Sequence, residues 1–437
     1  MKTLFTNAVV VTMNDCFDVF NKGYLLVEDG KISSVGPMEK CIDDFANMEV
    51  VDAEGGIMIP GFVNTHTHIG MIPFRGLGED MKDRLNRFLF PLEKKQMTSS
   101  LAKASAKYAV AEMQLSGITT FFDMYYFEDD IAEAVSQMGE RAVLAETIIE
   151  NTIDSRQPYG GLMYAEKFIE KWAGKNNLIT PSIAPHAPYS NTKDSLVKSK
   201  IIAEKYNVPY MIHLAEMDYE VALLREKYDV TPVEYMENIG FLSSDLVAAH
   251  CIYINERDAE ILARYGVNVS HCVVANTKSG KGISPVKLMQ EKGVSVGLGT
   301  DGPISGNTLD MFTVMKTVAL AQKTFLHDRS AYTSREILKM ATIDGARCLG
   351  IHESTGSLEP GKNADVTIVE TQSINMYPMH DPYATVVYQT NAGNVQTVYV
   401  DGIKRVHNKN LCSHTVKKLR HELEDASIKF NEAASKM

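Results

Sequence analysis

Eight short apolar runs of strand-like character succeed one another through the middle of this chain, and that rhythm restricts the fold more than any other feature. The runs are 61–68, 117–126, 141–149, 179–190, 208–216, 245–254, 266–275 and 293–302. Helical patterns separate most of them. Ala104 to Leu115 and Lys193 to Tyr206, for example, place apolar residues at i, i+3 and i+4. Eight alternating β/α units are the arithmetic of a closed parallel barrel. A doubly wound sheet fits less well, because no Gly-x-Gly-x-x-Gly turn follows the first run. The expected class is therefore α/β, with a (β/α)8 TIM-type barrel at its centre.

Both ends of the chain read differently. Leu4-Phe5, residues 8–12 and residues 24–27 are strand candidates, and Glu28-Asp29-Gly30-Lys31 is a hairpin turn leading into residues 32–36. After residue 360, residues 366–369 and 395–400 are again β-like, and a polar helix is expected from about Ser413. The two β-rich ends are expected to pair into one small β-sandwich domain. The expected division is 1–56, 57–360 and 361–437, the last including the terminal helix.

The residues that end the eight runs are the candidates for chemistry, since a β/α barrel gathers its active site at the C-terminal ends of its strands. His66 and His68 end the first run, and alternate residues of a strand face the same way. His186 ends the fourth run, His213 and Glu216 the fifth, His250 the sixth and Asp301 the eighth, while His271 lies in the seventh. Imidazoles and a carboxylate, with one position left open, are what a catalytic divalent metal needs. One such histidine is unremarkable. An ordered set, each member closing a β-like run, is hard to explain as core packing. His271 fits a structural role and a functional one equally well, and the remaining histidines read as surface residues.

Composition narrows the class. The chain has 437 residues, 45% hydrophobic and 23% charged, as soluble globular proteins do. A net charge of -11 argues against a nucleic-acid partner. The six cysteines form no Cys-x-x-Cys pair and no signal peptide is evident, which reads as a reduced, cytoplasmic protein. No apolar run approaches the roughly 20 residues that span a bilayer, so no membrane role is expected. Lys278-Ser279-Gly280-Lys281-Gly282 looks like a phosphate loop but lacks the Gly-x-x-x-x-Gly-Lys spacing, and reads as an ordinary barrel loop.

The ordered set IMIPGFVNTHTHIGM, RGLGEDM, PLE at 91–93, PHAPYS, IHLAE, AAHC, VSH, GISPV and LGTDG, followed by GSLEPGKNADVTIV, resembles the amidohydrolase superfamily over nearly the whole chain. Within it the chain is most similar to the 5'-methylthioadenosine/S-adenosylhomocysteine deaminase group of the chlorohydrolase and aminohydrolase branch. The resemblance implies that His66, His68, His213 and Asp301 hold one metal. It implies that Glu216, His250 and Asp301 handle protons beside it, and that Glu93 and His186 line the substrate site. It implies a hydrolase acting on C–N bonds of cyclic amidines, a small heterocyclic substrate and a homo-oligomer. Superfamily members with two metals bridge them through a carboxylated lysine at the end of strand 4. Here Ser182 to His186 offers none, which favours a single metal. Zinc is the first choice, and iron also suits three histidines and an aspartate.

The chain departs from that group after strand 3, where arginines would meet an amino-acid carboxylate. Leu162 stands at one such position, and Arg156 is the nearest substitute. A metal-dependent deaminase of a purine nucleoside is the expected function. Guanine, a pterin or an s-triazine is the alternative substrate, and a catalytically inactive scaffold with the same barrel is the alternative class.

Overall fold

The computed structural model describes residues 2–41, 47–82 and 84–437. The chain opens with strands β1 (Lys2–Val11), β2 (Val19–Glu28), β3 (Lys31–Pro37), β4 (Glu49–Asp52) and β5 (Ile57–Pro60). β2 and β3 form the expected hairpin. Glu28 pairs with Lys31, and the two residues between them, Asp29 (φ 49°) and Gly30 (φ 80°), are both left-handed. A two-residue type I′ loop requires that geometry. β1 is one strand where two short ones were expected. Its register against β2 shifts between Phe5 and Ala8, and Asn7 takes φ 54°. A bulge thus carries the strand through a polar break in the sequence.

The eight runs form β6 (Phe62–Thr67), β7 (Ile118–Tyr125), β8 (Arg141–Ile148), β9 (Ile179–Pro185), β10 (Tyr210–Leu214), β11 (Leu246–His250), β12 (Asn268–His271) and β13 (Ser295–Leu298). They lie side by side in sequence order in one eight-stranded sheet. The Asp301 N–H donates to the carbonyl of His66 at 3.1 Å, joining the chain just beyond β13 to β6. With that bond the sheet closes as a (β/α)8 barrel.

All eight strands are shorter than the runs that announce them, and in two the rest of the run turns into a helix. β9 stops at Pro185 and a 3-10 turn, Pro188–Ser190, follows. β12 stops at His271, and the apolar residues after it enter a helix, Val273–Lys278. A short apolar run reads alike in either state. The helix expected at Lys193 to Tyr206 is present over those residues. Thr192 and Ser195 cap its start reciprocally, and Asn207 (φ 52°) ends it.

Strands β14 (Val366–Val369), β15 (Val395–Val400), β16 (Ile403–His407) and β17 (Asn410–Leu411) complete the second sheet. Its order is β17-β16-β15-β14-β5-β1-β2-β3, with β4 on β1. The junction of the two chain ends is antiparallel, from Val366 opposite Pro60 to Val369 opposite Ile57. Ile32 on β3 and Tyr399 on β15, far apart in strand order, share one buried core with Phe5, Val10, Met58 and Ile368. The sheet therefore folds over on itself and encloses a core as a sandwich does. The expected terminal helix is two helices, Val416–Ala426 and Ile428–Ala434, meeting at Ser427, whose N–H bonds back to Leu423 and Glu424.

The chain divides into two compact units. One comprises Met1–Asn64, Glu112–Thr120 and Asp310–Ser413, the other Thr65–Ala111, Phe121–Leu309 and His414–Met437. In the first, Gly61 leaves no room for a side chain, because a Cβ there would meet Thr119 Oγ1 at 2.1 Å and its Cγ2 at 2.2 Å. Gly61→Ala is expected to lower stability by about 1–3 kcal/mol through overpacking, read as an earlier midpoint in urea unfolding.

Candidate metal centre and active site

The ends of β6, β10, β11 and β13 deliver four imidazoles and a carboxylate to one place. The His66 ring centroid lies 4.6 Å from that of His68, 5.0 Å from His213 and 5.7 Å from His250. Asp301 Oδ1 stands 3.3 Å from His68 Nε2 and 3.9 Å from His66 Nε2. His213 Nε2 is 3.4 Å from His68 Nε2. Parallel register accounts for part of this. β10 and β11 are aligned from Tyr210 opposite Leu246 to Leu214 opposite His250, so His213 and His250 leave the barrel at adjacent levels.

Each ring is aimed by its other nitrogen. His68 Nδ1 meets the Met124 carbonyl at 2.6 Å, His213 Nδ1 the His186 carbonyl at 2.7 Å and His250 Nδ1 the Asn276 Oδ1 at 2.8 Å. His66 Nδ1 lies 2.9 Å from the Met211 sulfur. Donating at Nδ1 fixes the tautomer and leaves Nε2 as a lone-pair donor toward the centre, as metal-binding histidines are arranged. Burial holds both His66 and His213 well below the usual imidazole range, so both are neutral. His66 Nε2 is buried and has no hydrogen-bond partner. A buried polar atom without a partner is costly, and a cation at this point would satisfy it. The donor set of His66, His68, His213 and Asp301 therefore fits one divalent metal. Cys272 also approaches His66 and His250, but burial pushes its thiol up, and a protonated thiol is a poor ligand.

The chain takes left-handed backbone at four positions here: Ala215 (φ 50°), His250 (φ 72°), Cys251 (φ 47°) and Asp301 (φ 57°). None is glycine, so each costs energy that its surroundings must hold. Glu220 does so for one, accepting the N–H groups of Ala215 at 3.0 Å and Glu216 at 3.1 Å.

Glu216 faces a cavity that His68, His213, His250 and Asp301 also line. Its Oε1 is 3.6 Å from His250 Nε2 and 2.5 Å from Lys281 Nζ. Burial opposes its ionisation, but His250 and Lys281 outweigh burial and hold the carboxyl below the usual range. His186 and Glu93 line the same cavity. Burial lowers His186 to about 4, leaving it neutral. Burial raises Glu93 to about 7, partly offset by the Tyr125 hydroxyl, which donates to Glu93 Oε1 at 2.9 Å. Arg156 is exposed and does not line the cavity, and the wall after β8 is Ile149, Asn151 and Ile153. His271 is fully buried, and burial lowers it to about 3. Tyr125 and Asn276 carry no site signal of their own in the sequence, and Lys281 lies in the stretch that reads as an ordinary barrel loop. Asn276 and Lys281 had one faint signal, a polar, glycine-rich stretch directly after the seventh run.

The sequence profile described as the amidohydrolase family matches residues 57–404. A 5-methylthioadenosine/S-adenosylhomocysteine deaminase of Thermodesulfovibrio yellowstonii is 36% identical over 408 residues, which cover 92% of this chain and 93% of that protein. A 5'-deoxyadenosine deaminase of Methanobrevibacter smithii is 36% identical over 432 residues, 97% of each chain. Among solved structures, an adenosine deaminase from Xanthomonas campestris with bound zinc superimposes with a TM-score of 0.95 at 27% identity, covering 98% of both chains.

The donor set is expected to hold one equivalent of a divalent metal per chain, measured by elemental analysis of the purified protein. Asp301→Asn and His68→Ala are expected to lower that content. Two equivalents, or none in active protein, would contradict a single centre.

Proposed function

The chain belongs to the amidohydrolase family, and from that membership we propose how its site works and what it acts on. The enzyme is a hydrolytic deaminase of a purine nucleoside. The observation that carries the mechanism is Glu216, a buried carboxylate 3.6 Å from His250 Nε2, in a cavity that Asp301 and Glu93 line as well.

His66, His68, His213 and Asp301 would hold the metal, and zinc is the metal we propose. Bound there, it would supply the acidity that brings a water's pKa to about 7. The rest of the chemistry belongs to the protein. Water adds to the ring carbon that bears the amino group. Glu216 accepts a proton from that water and passes it to the adjacent ring nitrogen, so charge never builds on the ring. His250 and Asp301 take the second proton and deliver it to the departing amine. Ammonia leaves and the ring keeps an oxo group. The neutral His186 contacts the substrate alongside Glu93.

Glu93 reads the sugar. A carboxylate accepts hydrogen bonds from both ribose hydroxyls, and a site built to pair with a hydroxyl rejects the analogue without it by up to about 10⁴-fold. The wall past the sugar is Ile149, Asn151 and Ile153, with no arginine. Lys94 lines the cavity but is exposed, and a solvated ammonium is a weaker partner for a carboxylate than a bidentate guanidinium. A short neutral 5′ substituent therefore suits the site, as in 5'-methylthioadenosine. The division of the chain at residues 57 and 360 goes with this reading, as do a cytoplasmic setting and a homo-oligomeric assembly. No helix among the described residues is long and apolar enough to cross a membrane.

Glu216→Gln is expected to lower turnover by at least about 10²-fold with metal retained. Near-normal turnover in a metal-loaded variant would exclude it as the proton carrier. In the wild type, methylthioadenosine should be used at least as well as adenosylhomocysteine, compared by kcat/KM, and Glu93→Ala should lose most of the nucleoside rate. A marked preference for a free base would move the substrate toward guanine, pterins or triazines. Because burial raises Glu93 to about 7, its carboxylate form is gained as pH rises through that value. KM for the nucleoside should fall over the same interval, and Glu93→Gln should flatten the dependence.

A further inference from the structure

Among the described residues Lys281 is the one cation whose ammonium touches the proton-handling carboxylate, and its surroundings show a built arrangement. Its Nζ lies 2.5 Å from Glu216 Oε1, with the lysine side chain 17% exposed and the glutamate side chain 11% exposed. An ammonium drawn this far from water needs a partner of opposite charge close by. The backbone of the same residue is tied to the second proton-handling group. The Lys281 N–H donates to the carbonyl of Asn276 at 3.0 Å, and the Asn276 side chain accepts from His250 Nδ1 at 2.8 Å. His250 Nε2 in turn faces Glu216 Oε1 at 3.6 Å. Lys281, Glu216, His250 and Asn276 thus close a circuit, and Lys281 belongs to it through both its main chain and its side chain.

The local sequence makes this placement possible. Lys281 sits between Gly280 (φ 65°) and Gly282 (φ 121°), both in backbone conformations that favour glycine. A Cβ at Gly282 would also press Ile252 at 3.2 Å. The Ser-Gly-Lys-Gly stretch therefore turns sharply on both sides of the lysine. The Tyr253 hydroxyl donates to the Lys281 carbonyl at 3.1 Å and secures the turn from the loop after β11. What resembled a phosphate loop in sequence presents its lysine to the active site.

We propose that Lys281 is a positioning residue for the deamination, holding the Glu216 carboxylate at the distance and angle from which it serves the water and the ring nitrogen. Misplacing a reacting group by about 1 Å can cost about 10²-fold in rate. The glutamate has two neighbours to lean on, His250 and Lys281, and only the lysine approaches within hydrogen-bond distance. Without it the carboxylate loses its near partner and swings within the cavity. The inference rests on the reading of Glu216 as the proton carrier.

The test is a double-mutant cycle on metal-loaded enzyme, using whichever purine nucleoside the wild type deaminates fastest. Lys281→Met keeps the aliphatic stem and removes the charge. Its kcat should fall about 10- to 100-fold, with KM and metal content little changed. Lys281→Arg, which keeps a cation on a different head, should recover part of the loss. In a Glu216→Gln background Lys281→Met should cost little more, because residues acting through one another are not additive. Full turnover in Lys281→Met, beside a crippled Glu216→Gln, would overturn this proposal alone. Near-normal turnover in Glu216→Gln would overturn the proton-carrier reading and this proposal with it. An equal loss in both backgrounds, a loss confined to KM, or failure of both the Met and Arg variants to fold would make Lys281 a structural or substrate-binding group instead.

Discussion

Everything in this site depends on keeping buried imidazoles neutral and correctly turned. Burial removes the option of protonation for His66 and His213. Hydrogen bonds at Nδ1 remove the option of rotation. What is left is a group of Nε2 atoms turned toward one point, that of His66 without a hydrogen-bond partner. The same burial makes the electrostatics matter. A carboxylate buried among those rings is screened less than one on the surface, so the groups beside it govern its proton affinity.

The barrel supplies the rigidity and the loops supply the identity. The rings come from strand ends held in register, yet their aim is fixed by carbonyls and side chains of the neighbouring strand ends and loops. His213 is oriented by the backbone of His186, and His68 by the backbone of Met124. A residue in the site is thus often the support of another. Glu220 shows the same economy on a helix, where a single carboxylate secures two consecutive N–H groups under Glu216.

The barrel was legible in the sequence because its strands are short apolar runs ending in polar residues, a pattern that few other folds produce. The ends of the runs were less legible. At Cys272 and Val273 the sequence stays apolar while the backbone turns from strand to helix, and hydropathy carries no record of that turn. In the site, His66, His68, His213, His250 and Asp301 stood out because histidine and aspartate are conspicuous at strand ends. Asn276, Tyr125 and Lys281 did not, because their importance lies in which atoms they meet across the barrel mouth. Arg156 is the opposite case. An arginine near the expected segment looked like a carboxylate partner, and the fold leaves it in solvent.

The left-handed backbone at Ala215, His250, Cys251 and Asp301 separates two kinds of position under selection. At Ala215 and Cys251 the side chain is modest, and glycine would relieve the main chain. At His250 and Asp301 the side chain is the chemistry, and no relief is open that keeps the enzyme. A lineage pressed toward heat would meet a ceiling at the mouth of its own barrel. Its durability would have to accumulate in the helical shell and the β domain, leaving the strained rim nearly as it stands.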